Sequence, residues 1–100
     1  MSNYEIQPYS FTRAEQLGVN LKPSTNEKRK IDIYDIEGQY ICSCGDSRYY
    51  DFPYYLNQYG LEYAEARRHL YHIKNKSKRK NTASFFEKEI LWWHFGSAGL

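Results

Sequence analysis

The segment KIDIYDIEGQYICSCG, residues 30–45, leaves the chain little choice of fold. Ile31 and Ile33 alternate with Asp32 and Tyr34 at the two-residue period of a strand. Glu37–Gly38 supplies a turn, and QYICSC returns in β-forming residues. The pattern predicts a hairpin over about 30–44. An isolated hairpin is marginal in water, so other elements must cover it. Ile36 falls out of phase with Ile31 and Ile33, and a bulge near Asp35 would repair the register. Cys42 and Cys44 sit two apart on the returning strand, on one face, with side chains too parallel for a bridge. They read as reduced, structural thiols.

The material available to cover this hairpin is unusual. Leu, Ile, Val and Phe make up about a fifth of the 100 residues, whereas there are 11 Tyr and 2 Trp. Each such ring buries apolar area but wants a partner for its polar tip. Tyr49, Tyr50, Tyr54, Tyr55, Tyr59 and Tyr63 are therefore expected to fill core, or to form a contact patch if exposed.

The flanks read as helices. Pro8 bars a helix at the start. SFTRAEQLG then predicts a short one, with Ser10 as N-cap, capping-box spacing between Thr12 and Glu15, and Gly18 after its end. VNLKP suits a short strand. Asp51 can cap a helix carrying Pro53 in its first turn and ending at Gly60. LEYAEARRHLYHIK follows as a longer helix whose Leu61, Ala64, Leu70 and Ile73 are expected to pack across the sheet. A basic linker spans about 75–82. A terminal aromatic helix over 84–95 follows, capped by Ser84 with Glu87, with Phe86, Ile90 and Trp93 on one face. The fold expected is α+β in one small domain: a short N-terminal helix, a small antiparallel sheet, then two or three helices.

Charge is unevenly spread. Residues 31–66 hold seven acids against Arg48; residues 67–80 hold Arg67, Arg68, Lys74, Lys76, Lys78, Arg79 and Lys80 and no acid. Such a run can neutralise phosphates and release counterions, giving salt-dependent, sequence-independent binding. Tyr71 and His72 are interleaved, and rings beside guanidinium groups can stack on unpaired bases. Lys28, Arg29 and Lys30 form a second cluster. The competing reading of the run is a solvated helix end whose cations complement the dipole.

In order along the chain, IQPYSFTRAEQLGV, LKPSTNEKRKIDIY, YYDFPYYL, GLEYAEARRHLY and the closing ILW resemble a family of small uncharacterised proteins encoded by large DNA viruses of algae and protists. The resemblance runs from about Ile6 to Trp92. It implies a viral setting, in a virion or a reducing host compartment, and other virion proteins as partners. Two departures are visible: Lys74–Asn75 stands where the family has an Arg-His pair, and TASFFEKE stands where it has a Gly-rich, Tyr-containing lead into ILW.

Catalytic patterns are thin. His69 and His72 share a helix face, but their spacing to Cys42 and Cys44 enforces no metal site. A Cys–His nucleophile lacks an orienting third group. Asp46, Asp51 and Glu62 with Lys74 match no nuclease motif, and there is no phosphate-binding glycine loop. No cofactor is called for. No signal-peptide pattern or apolar run of membrane-spanning length is present. The expectation is a non-enzymatic protein that binds nucleic acid through phosphate contacts. The alternative is a virion adaptor docking through its aromatic C-terminal helix and its charge-asymmetric surface, with Phe85, Trp93 and Phe95 as interface. Trp92 is expected to be the more buried tryptophan and Trp93 the contact.

Overall fold

The computed structural model describes residues 4–75, 79 and 82–93. Its architecture is α+β: an N-terminal helix, a three-stranded antiparallel sheet, then helices. Helix α1, Pro8–Leu17, starts one turn earlier than the sequence suggests. Pro8 occupies the first helical turn, where its fixed φ suits the helix and its missing N–H costs nothing. Gln7, not Ser10, is the N-cap residue. Ser10 is instead fully buried, and its hydroxyl donates to the Ile90 carbonyl at 2.9 Å. Gly18 ends α1 at φ 72°, the left-handed conformation that glycine adopts without strain.

Strands β1 (Val19–Pro23), β2 (Arg29–Asp35) and β3 (Tyr40–Asp46) run in that spatial order. Leu21 faces Ile33 across the first pair, and Ile31 faces Cys44 across the second. Leu21, Ile31, Ile33 and Cys44 are all buried on the shared face. The ladder does carry an irregularity, but on the partner strand: Ile33 pairs with Cys42 and Tyr34 with Tyr40, so Ile41 is the extra residue. Ile36 needs no repair, because it lies in the turn and is 76 % exposed. Asp35 builds that turn, its Oδ1 accepting from the backbone N–H groups of Glu37 and Gln39 at 2.9 Å each. Both cysteines are free, and burial pushes the Cys44 thiol well above its usual range.

Helix α2, Phe52–Tyr59, is capped as the sequence predicts, with Asp51 Oδ1 accepting from the Tyr54 N–H at 3.2 Å. Helix α3, Leu61–Lys74, packs against α2 and not across the sheet. The expected stripe is wrong for a physical reason. The inward face is Ala64 and Arg68, four apart, flanked by half-buried Tyr71 and His72, while Leu61, Leu70 and Ile73 are half exposed or more. A small Ala lets the two helices approach closely, and Arg68 supplies the bulk that a Leu would otherwise give.

The terminal aromatic segment is not one regular helix over its described part. Thr82, not Ser84, caps a single turn α4, Ala83–Phe86, which widens into a π-helical turn, Glu87–Leu91. A uniform α-helix would send some of four consecutive residues outward. The widened turn and its extended exit bury Ile90, Leu91, Trp92 and Trp93 together. Both tryptophans are therefore core, and Trp93 is the more buried of the two, reversing the expectation. The exit is tied down at both carbonyls. Tyr9 Oη and Arg68 Nη1 (3.2 Å) donate to the Trp93 carbonyl, and His72 Nε2 donates to that of Trp92 at 2.6 Å. Trp93 Nε1 returns a bond to the Tyr9 carbonyl at 3.0 Å.

One glycine is indispensable to this packing. Gly45 has φ 81°, and a Cβ there would lie 3.0 Å from Leu91 Cδ1 and 3.1 Å from two Lys30 carbons. Gly45→Ala combines a strained backbone with overpacking and should cost about 2–4 kcal/mol. A urea midpoint equal to wild type would contradict this.

Candidate nucleic-acid interface

The basic run divides once it folds. On α3, Arg67, Leu70, Tyr71 and Lys74 stand at i, i+3, i+4 and i+7, so they share one flank. That flank forms a wall of a groove of about 400 Å³. The facing wall is the end of β3 and the turn after it, with Asp46, Arg48, Tyr49 and Tyr50, and Tyr55, Leu91 and Trp92 also line it. The volume is within the roughly 300–1,000 Å³ of small-molecule clefts.

Several groove residues are fixed by their neighbours. The Arg67 guanidinium lies 5.1 Å above the Tyr55 ring. Tyr71 stacks on Trp92 at 4.6 Å, and burial together with the Glu87 carboxylate against its hydroxyl pushes its phenol well up. Arg48 Nη2 reaches Asp46 Oδ2 at 2.8 Å and holds that carboxyl down at about 2, so the pair is ionised across the neutral range. Among the described residues, no carboxylate forms an ion pair with Arg67 or Lys74. These two are cations of the groove outside any ion pair among the described residues, and the Asp46 and Glu87 carboxylates line the same groove.

The remaining predicted residues scatter. Lys28 and Arg29 are exposed where β2 begins, and Arg29 pairs across the ladder with Asp46, beside the groove. Arg79 is exposed but does not line the groove. Lys76, Lys78, Lys80 and Phe95 lie outside the described residues.

Lys30 and Arg68 must be corrected. Lys30 is 4 % exposed, with Nζ 2.9 Å from Asp51 Oδ2. Arg68 is 6 % exposed, with its guanidinium 4.1 Å from the Phe52 ring centroid. Each cation is held on a buried acceptor, the Asp51 carboxylate for Lys30 and the Trp93 carbonyl for Arg68, so neither is a free surface cation, although Lys30 lines the groove. Phe85 is half buried against Phe86, and the burial of Trp93 removes it as a contact residue.

Arg48, Tyr49 and Tyr50 are groove residues that the charge count misses. Arg48 stands alone in an acidic block, and the two tyrosines look like further core rings. The available signal was the turn composition of GDSRYY, which favours a surface loop carrying its rings outward. Among the described residues, no group of three or more His, Cys, Asp or Glu is placed to hold a metal ion, and no helix is long and apolar enough to cross a membrane. Comparison of the chain with protein-family models, with curated proteins and with solved structures finds no match.

Proposed function

We propose that this protein, in the setting of a large DNA virus, binds nucleic acid without sequence preference and without catalysis. The observation that carries the reading is the convergence of Arg67 and Lys74, neither in an ion pair among the described residues, with Arg48 in one aromatic-walled groove. Phosphate contacts by these side chains, continued by the basic linker, give affinity that depends on salt. The viral setting rests on the sequence resemblance alone. The adaptor alternative is weakened by the burial of Trp93, Ile90 and Leu91, which leaves half-buried Phe85 as its only described contact.

Fluorescence anisotropy with a labelled single strand, between about 50 and 200 mM salt, tests the proposal. Each phosphate neutralised adds roughly −0.7 to the log–log slope on single strands. Arg67→Ala/Lys74→Ala should therefore make the slope shallower by roughly 1.4. No binding at low salt, or a slope unchanged by the double substitution, would count against it.

A further inference from the structure

Tyr49 and Tyr50 line two hollows at once: the groove, and a second one of about 320 Å³ that also carries Tyr4, Asp51, Asn57 and Gln58. They form the ridge between the two. Tyr49 is 65 % exposed and Tyr50 55 %, a poor use of two large rings unless something covers them. Their posture is set from behind. Tyr50 stacks on Tyr54 at 3.8 Å with an interplanar angle of 7°, and Arg48 lies 5.5 Å from the Tyr49 ring centroid.

We propose that this ridge is a stacking platform for unpaired bases, so that the preferred ligand is a single strand and not a duplex. Three considerations point this way. A base inside a duplex has its faces covered by its neighbours and cannot reach a tyrosine on a ridge, whereas an unpaired base can. The groove, at about 400 Å³, is of a size to take a nucleotide unit of a strand. The cations Arg48, Arg67 and Lys74 line the groove that opens beside the ridge, where the backbone of a strand stacked on Tyr49 or Tyr50 would run. Ring stacking and backbone cations are the two ingredients of sequence-tolerant single-strand binding.

This inference rests on the nucleic-acid reading of the groove, and the test separates the two. The probes are oligothymidylate, an abasic strand of the same length and charge, and a duplex of the same length. Stacking is worth roughly five- to a hundredfold in affinity per base, so oligothymidylate should bind at least that much more tightly than the abasic strand. Tyr49→Ala and Tyr50→Ala, each checked for a wild-type thermal melt, should lose most of the margin by which oligothymidylate outbinds the abasic strand, and a margin kept at the wild-type value would overturn the platform. Equal binding of oligothymidylate and the abasic strand would overturn the platform while leaving phosphate binding in place. Absence of binding to every probe at low salt would overturn both.

Discussion

Asp51→Ala should nearly unfold this protein. The Asp51 side chain is 2 % exposed and serves three partners: Lys30 Nζ at 2.9 Å and the Tyr4 hydroxyl at 2.7 Å through Oδ2, and the Tyr54 N–H through Oδ1. The substitution strands a lysine whose side chain is itself only 5 % exposed. Breaking a buried pair from one side costs about 3–5 kcal/mol, and loss of the cap adds about 1 kcal/mol. A domain of this size holds roughly 5–15 kcal/mol in all. The origin of the loss can be separated from the loss itself. Lys30→Met/Asp51→Asn removes both charges while keeping an acceptor for the cap, and should be more stable than Asp51→Ala. Urea unfolding followed by tryptophan fluorescence reads both. A double variant as unstable as Asp51→Ala would show that neither the stranded lysine nor the lost cap is the origin of the loss, and would contradict this account.

Arg68→Ala should be the second most damaging substitution. It deletes the guanidinium stacked on Phe52 and one of the two donors to the Trp93 carbonyl, and leaves a void between α3 and the π-helical exit. Loss of packing, ring contact and hydrogen bond together cost about 2–4 kcal/mol. Arg68→Lys should recover little, because a compact ammonium cannot lie flat on the ring and reach the carbonyl together. A protein with Arg68→Lys that melts like wild type would contradict this account of the latch. The same variant, bound to a single strand, should keep the wild-type salt slope, since Arg68 is buried and engaged by the Trp93 carbonyl and the Glu65 carboxylate.

These two residues show where sequence reasoning succeeds and where it stops. Local signals carried well: the alternation of Ile31 and Ile33, the Asp51 cap and the Gly18 stop all act within a few residues of the backbone groups they control. The α+β class follows from them. Long-range pairings left no local trace. Nothing in a run of Lys and Arg tells which member turns inward, and Arg68 and Lys30 turn inward because acceptors distant in sequence wait for them. The charge count of the acidic block was equally silent about partners. Its aspartates are consumed by structure: Asp32 accepts from Ser43 and the Thr25 N–H, Asp35 builds the hairpin turn, Asp46 holds Arg48, and Asp51 caps α2. It is a set of caps and turns more than a docking face. The stripe on α3 failed because the helix pairs with α2 through Ala64, which leaves Leu70 and Ile73 outside, and hydrophobic periodicity cannot name the neighbour.

Two charge reversals of equal size test the central claim most directly. Arg67 lines the groove; Lys22 is exposed on β1, at the sheet edge opposite β3. Arg67→Glu and Lys22→Glu change net charge identically. In a salt series on a single strand, Arg67→Glu should weaken low-salt binding by about tenfold or more and flatten the slope by roughly 0.7–1.4, while Lys22→Glu leaves both within about twofold of wild type. Equal weakening by the two variants would mean that binding follows net charge and not the groove, and would contradict the account.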